Sequence, residues 1–120
     1  MSEEKVVKLK DGRIKYIETE EGLYKFNYTD DKILDHIICP DEGKYEFFYD
    51  EDDDQMIDYI ETPYGTLNFY YTRTGKTDSI KLESGEEFVF YYDDSGDVQI
   101  EVIGEIDEFL EKELGMFGII

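Results

Sequence analysis

The stretch YDEDDDQMIDYIE, residues Tyr49–Glu61, holds the side chains whose types and spacing come closest to a ligand-binding constellation. Asp50, Asp52, Asp54, Asp58 and Glu61 occupy positions 1, 3, 5, 9 and 12 of a twelve-residue loop, with Ile57 at position 8. Hard carboxylate oxygens at such positions surround Ca²⁺ in an EF-hand loop. Two features oppose that chemistry. Gln55 stands at position 6, where the sharp turn needs glycine, and both flanks read as strands. A chain with 32 acids in 120 residues also generates such spacings readily. The stretch is therefore read first as an acidic hairpin turn, with a Ca²⁺ loop built from those five acids as the alternative.

Other reactive constellations are thin. His36 is the single histidine, which leaves no histidine-based metal cluster, and it sits in the strand-like run ILDHIIC as a structural or partly exposed side chain. Cys39 is the single cysteine, so the chain forms no internal disulfide and no thiolate cluster. Cys39 also has no evident base partner, which argues against a nucleophilic thiolate. The turns GRI, SGE and SGD lack the lysine that follows a phosphate loop. The sequence predicts a protein that is not an enzyme, with no catalytic residues and no cofactor beyond the Ca²⁺ alternative.

Charge points the same way. The formal net charge is −20, unevenly spread. Residues 1–15 carry five bases against three acids, +2; residues 16–64 carry 16 acids against three lysines, −13; residues 65–120 carry 13 acids against four bases, −9. Such a field repels nucleic acid and anionic membrane and attracts basic protein surfaces. The start MSEEKVVKLKDG has no apolar run of signal-peptide length, and no segment reaches membrane-spanning length, so a cytoplasmic location is the expectation.

The elements that must position these acids repeat. YKFNY (24–28), YEFFY (45–49), LNFYY (67–71) and FVFYY (88–92) end on Tyr28, Tyr49, Tyr71 and Tyr92, spaced 21, 22 and 21 residues apart. Each follows a glycine: Gly22, Gly43, Gly65 or Gly85. Between them lie aliphatic segments in which Ile14/Ile17, Leu34/Ile37 and Ile57/Ile60 keep a spacing of three, followed by Thr77/Ile80 and by Val98, Ile100 and Val102. Turn sequences KDGR, TDDK, TRTGK and DDSGD join the two kinds of segment. The pattern predicts a mainly β fold: an antiparallel meander of about ten short strands built from hairpin repeats of about 21 residues, forming a single domain over 1–120.

Alternation places Tyr24, Phe26, Tyr28 and their counterparts on one aromatic face of residues 6–102. The opposite face turns apolar in the later units at Phe48, Tyr70, Val89 and Tyr91, which calls for a cover. Residues 105–114, with Ile106, Phe109, Leu110 and Leu114 in one stripe, predict an amphipathic helix that packs on the sheet as that cover. Gly115 is its expected stop, and 115–120 form an apolar tail.

The unit resembles the tyrosine-rich hairpin repeats of the RHS/YD family at FYYDDSGDV (90–98), FFYD (47–50) and DGRIKYI (11–17). It is also similar to MORN-variant repeats at GTLNFYYTRTGK (65–76). Departures from both patterns occur after Tyr28, where Lys32 replaces the turn glycine, and at Thr29 and Thr72, which replace Asp. RHS shells enclose toxins and MORN-variant proteins occur in toxin–antitoxin settings, so the resemblance implies a protein-binding role.

The functional expectation is an acidic binding protein of the inhibitor, immunity or antitoxin type. Its basic partner would be a nuclease toxin or a nucleic-acid-binding complex, whose phosphate groove the carboxylates imitate. The expected contacts are Asp50, Asp52, Asp53, Asp54 and Asp58, with Asp93, Asp94, Asp30, Asp31 and Asp97 on other turns, and Tyr70 and Tyr91 as anchors. Direct nucleic-acid binding and membrane binding are not expected. The alternatives are a structural repeat module whose acidity serves solubility, and a Ca²⁺-stabilised domain.

Overall fold

The computed structural model describes residues 4–53 and 56–120. The fold is mainly β, with ten strands and one helix among those residues, arranged as two compact units, Met1–Pro63 and Tyr64–Ile120. The first unit contains β1 (Lys5–Lys8), β2 (Ile14–Thr19), β3 (Gly22–Tyr28), β4 (Leu34–Ile38), β5 (Lys44–Tyr49) and β6 (Ile57–Thr62), each antiparallel to its sequence neighbour. The second contains β7 (Gly65–Tyr71), β8 (Thr77–Leu82), β9 (Glu87–Tyr92) and β10 (Val98–Ile103), paired in the same manner, and then helix α1 (Glu108–Met116).

The spacing of three in the aliphatic segments has a structural cause. Side chains three apart on a regular strand point to opposite faces. Here the register skips one residue between Ile14 and Tyr16 opposite β1, between Leu34 and His36 opposite β3, between Ile57 and Tyr59 opposite β5, and between Thr77 and Ser79 opposite β7. The extra residues are Lys15, Asp35, Asp58 and Asp78, all charged and exposed. A β-bulge absorbs one residue without a partner and returns both members of each pair to the same face. β10 pairs with β9 over six residues without a shift, and there the aliphatic spacing is two.

One face of each unit is the core. In the first unit Ile17, Tyr24, Phe26, Ile37, Tyr45, Phe47 and Ile60 are buried, paired as Ile17↔Tyr24, Phe26↔Ile37, Ile37↔Tyr45 and Phe47↔Ile60. In the second, Leu67, Ile80 and Phe88 are fully buried on the corresponding face. Each such side chain contributes about 1.5–3 kcal/mol by leaving water. The opposite face is half-exposed, with Phe48 stacked on Tyr59 at a centroid distance of 4.5 Å.

Seven connections reuse one turn, in whole or extended form. At Thr29–Ile33 the Thr29 N–H donates to Ile33 O at 2.8 Å and the Lys32 N–H donates to Thr29 O at 2.9 Å. The same pair of bonds recurs at Leu9–Arg13, Cys39–Gly43, Thr72–Lys76, Leu82–Glu86 and Asp93–Asp97. The fourth residue sits in the left-handed region, where L side chains crowd the backbone. Glycine fills it at Gly12, Gly75, Gly85 and Gly96, whereas Lys32 (φ 68) and Glu42 (φ 73) adopt it at a steric cost. The acidic turn is the longest, closing from the Asp50 N–H to Met56 O.

Helix α1 differs from the sequence expectation at both ends. It starts after Asp107, whose side chain accepts from the Phe109 N–H, and it runs through Gly115. It stops at Gly118 (φ 81), with the Ile119 N–H donating to Leu114 O and the Gly118 N–H to Gly115 O. That bond pair is a Schellman motif, which needs a left-handed residue directly after the C-cap Phe117. The buried stripe also differs from the expected one: Leu110, Glu113 and Leu114 are buried and Phe109 is 65% exposed. Leu110 and Ile106 line a cavity with Leu82, which shares the core face with Leu67. The helix therefore meets the second unit's core side. Tyr70 and Tyr91 on the opposite face stay 49% and 52% exposed, without the expected helical cover.

Candidate protein-docking surface

Hairpin topology gathers the acids. In the first unit the turns Leu9–Arg13, Thr29–Ile33 and Asp50–Met56 each follow an odd-numbered strand, so they share one end of that meander. Their exposed carboxylates are Asp11, Asp30, Asp31, Asp50, Glu51, Asp52 and Asp53. In the second unit Thr72–Lys76 and Asp93–Asp97 share an end in the same way, with Asp93, Asp94 and Asp97 exposed.

The first acid of these turns is also a structural part. Asp50 Oδ1 accepts from the Asp52 N–H at 2.8 Å, and Asp93 Oδ1 accepts from the Ser95 and Asp97 N–H groups at 2.9 and 3.0 Å. Thr29 and Thr72 do the same work with a hydroxyl, accepting from the Ile33 and Lys76 N–H groups at 3.2 Å. Short polar side chains capping their own turn are the physical reason that Asp or Thr follows each register tyrosine. The Ser95 hydroxyl and the backbone donors hold the Asp93 carboxyl below its ordinary range. Asp52, Asp53 and Asp94 are exposed on their turns.

The acids of the Ca²⁺ spacing are divided among different elements. Asp50 and Asp52 lie on the turn, Asp58 is the bulge residue of β6, and Glu61 projects from the non-core face of β6 opposite Glu46. Asp54 lies outside the described residues, as does Gln55. Among the described residues no group of three His, Cys, Asp or Glu side chains is placed to hold a metal ion. His36 Nδ1 is 2.7 Å from Asp35 Oδ2 on β4, and Cys39 is buried at the start of the following turn.

The expected anchors Tyr70 and Tyr91 share the non-core face of the second unit. Lys81 Nζ lies 5.2 Å from the Tyr70 ring centroid, and the Tyr91 hydroxyl donates to Glu101 Oε2 at 3.0 Å. That bond to a carboxylate pushes the Tyr91 hydroxyl pKa up, with Glu101 and Glu87 adding repulsion of its ionised form.

Sequence reasoning missed two cations with defined roles. Arg13 lies 4.6 Å from the Tyr28 ring centroid and also binds Asp11, with Nη2–Oδ2 at 2.7 Å; Lys76 lies 5.0 Å from the Tyr92 ring centroid. Both directly follow a turn glycine, Gly12 or Gly75, and that placement was the available signal. Asp11 is held below its ordinary range by the Arg13 side chain. Arg13 is thus engaged inside its own turn, and Lys32 on the neighbouring turn adds to the lowering of Asp11.

No protein-family model matches the chain, and no curated protein matches it.

Proposed function

We propose that the chain is a non-enzymatic binding protein that docks a basic, nucleic-acid-binding protein through the carboxylates of its turns, acting as an inhibitor of the immunity or antitoxin type. The observation that carries this reading is the turn rim of the first unit. Asp30, Asp31, Asp50, Glu51, Asp52 and Asp53 are exposed there on hydrogen-bonded turns of an antiparallel meander. Preset carboxylates can enter a groove built for phosphates without ordering a flexible tail, and they steer a cationic partner into contact. On the second unit, Tyr70 and Tyr91 are half-exposed rings of the kind that pack at protein interfaces.

The test is capture of a partner on the tagged chain from nuclease-treated lysate, eluted with a salt gradient. A stoichiometric basic protein released by rising salt, whose nucleic-acid binding the chain then displaces in purified form, supports the proposal. Absence of any such protein at low salt removes it.

The structural-module reading draws on a different observation. Asp50, Asp93, Thr29 and Thr72 are all used in closing turns, so much of the repeat pattern serves the fold itself.

A further inference from the structure

Among the described residues β1 pairs only with β2, and β10 only with β9. An unpaired edge is a template for another strand, and proteins usually blunt it with proline, a bulge or an inward charge. β10, VQIEVI, carries none of these and pairs with β9 without interruption.

The backbone groups that face outward follow from the adjoining turns. Bonded and non-bonded pairs alternate along an antiparallel ladder. The Asp93 N–H bond to Asp97 O makes Tyr91↔Gln99 and Val89↔Glu101 the bonded pairs, so Val98, Ile100 and Val102 direct their N–H and C=O away from β9. The Leu9 N–H bond to Arg13 O likewise leaves Val6 and Lys8 directed away from β2.

The side chains of the two edges complement each other. Val98, Ile100 and Val102 continue the core face opposite Tyr92, Phe90 and Phe88, yet Val98 is 47% and Val102 39% exposed. Val6 continues the core face opposite Ile17 and is 47% exposed. On the other face β10 presents Glu101 and β1 presents Lys5. The basic end of the chain, +2 over residues 1–15, thus carries one edge, and the acidic remainder carries the other.

We propose that β10 of one copy pairs antiparallel with β1 of a second copy, joining chains head to tail. With Val6 opposite Ile100, both residues offer their N–H and C=O to each other. The same register sets Lys5 opposite Glu101 and Val7 opposite Gln99. Every joined copy keeps one free edge of each kind, so the contact propagates instead of closing as a symmetric dimer. Repulsion between chains of charge −20 opposes the contact at low salt, so screening strengthens it.

The test is sedimentation of the full chain over a concentration series, at low salt and at about 0.5 M salt, where the Debye length falls to roughly 4 Å. Val6→Pro and Ile100→Pro each remove an outward N–H, and proline is tolerated at that position of an edge strand. The wild type is expected to grow beyond a dimer, more so in high salt. Each variant alone stays monomeric, and an equimolar mixture of the two forms a dimer that grows no further, because its two intact edges are used in the contact and the two left free both carry proline. Ile100→Lys, which sets a charge against Val6 without altering the backbone, is a second block and weakens association at least about tenfold relative to wild type. A wild type that stays monomeric in high salt overturns the proposal. So does assembly of either proline variant alone to the wild-type extent, or a mixture that remains monomeric.

Discussion

The Tyr28 hydroxyl donates to the carbonyl oxygen of Ile14 at 2.7 Å, fourteen residues back along the chain. Tyr49 donates to Leu34 O at 2.5 Å and Tyr92 to Thr77 O at 2.7 Å, both at a separation of fifteen. In each case the acceptor is the first residue of an even-numbered strand, directly before a bulge residue. The bulge withdraws that residue from a regular ladder, and the tyrosine supplies a hydrogen bond there. Tyr28, Tyr49 and Tyr92 are therefore structural bolts whose hydroxyls bind backbone.

Removing a bolt has a defined cost. Tyr28→Phe, Tyr49→Phe and Tyr92→Phe keep the ring and delete the donor, and each is expected to destabilise by about 1 kcal/mol. Urea unfolding of the three variants measures this, and Tyr91→Phe, whose hydroxyl meets an exposed carboxylate, is the control with a smaller loss.

Turn conformation gives the opposite sign. Lys32→Gly relieves a lysine at φ 68 and is expected to stabilise by about 0.5–1 kcal/mol. Gly75→Ala places a side chain at φ 87 and is expected to cost about 1 kcal/mol or more. Melting temperatures of the pair, moving in opposite directions, check the assignment.

The bulge residues are needed for their number and not for their chemistry. Asp78→Ala leaves stability within about 0.5 kcal/mol, because an exposed side chain is lost. Deleting Asp78 forces the Thr77 side of β8 to the wrong face, with a loss expected at several times that value. Thermal unfolding of the substitution beside the deletion separates the two.

Asp93 makes stability depend on acid. Its folded carboxyl is held below the ordinary value of 3.8, so its contribution is fully present above that value and is lost as pH falls through the folded pKa. Asp93→Asn is expected to flatten the fall in melting temperature below about pH 4 relative to wild type. An unchanged acid slope contradicts the capping role.

Much of the fold was legible because the repeat is redundant. Four aromatic strands ending on Tyr28, Tyr49, Tyr71 and Tyr92 announced the hairpins and their core face. The spacing of three in Ile14/Ile17 and its counterparts was visible too, but only the register identified it as a bulge. The helix was harder to place. Gly115 precedes Gly118 by three residues, both fit a stop, and only the Schellman bonds to Leu114 and Gly115 decide between them. Within the helix Phe109 lies outside the buried stripe and Glu113 inside it, which apolar periodicity does not reveal. The acidic site was legible as composition, whereas the capping duties of Asp50 and Asp93 depend on turn geometry that residue type alone does not specify.

Docking by the turn carboxylates is the central claim, and the salt dependence of one complex tests it most directly. The equilibrium constant for the captured basic partner is measured across a salt series for wild type and for the Asp52→Lys, Asp53→Lys double variant, which leaves the Asp50 cap in place. The account predicts affinity that falls steeply with salt in the wild type, and a variant that binds at least about tenfold more weakly with a shallower slope. Equal affinity and equal slope for the two proteins would contradict it.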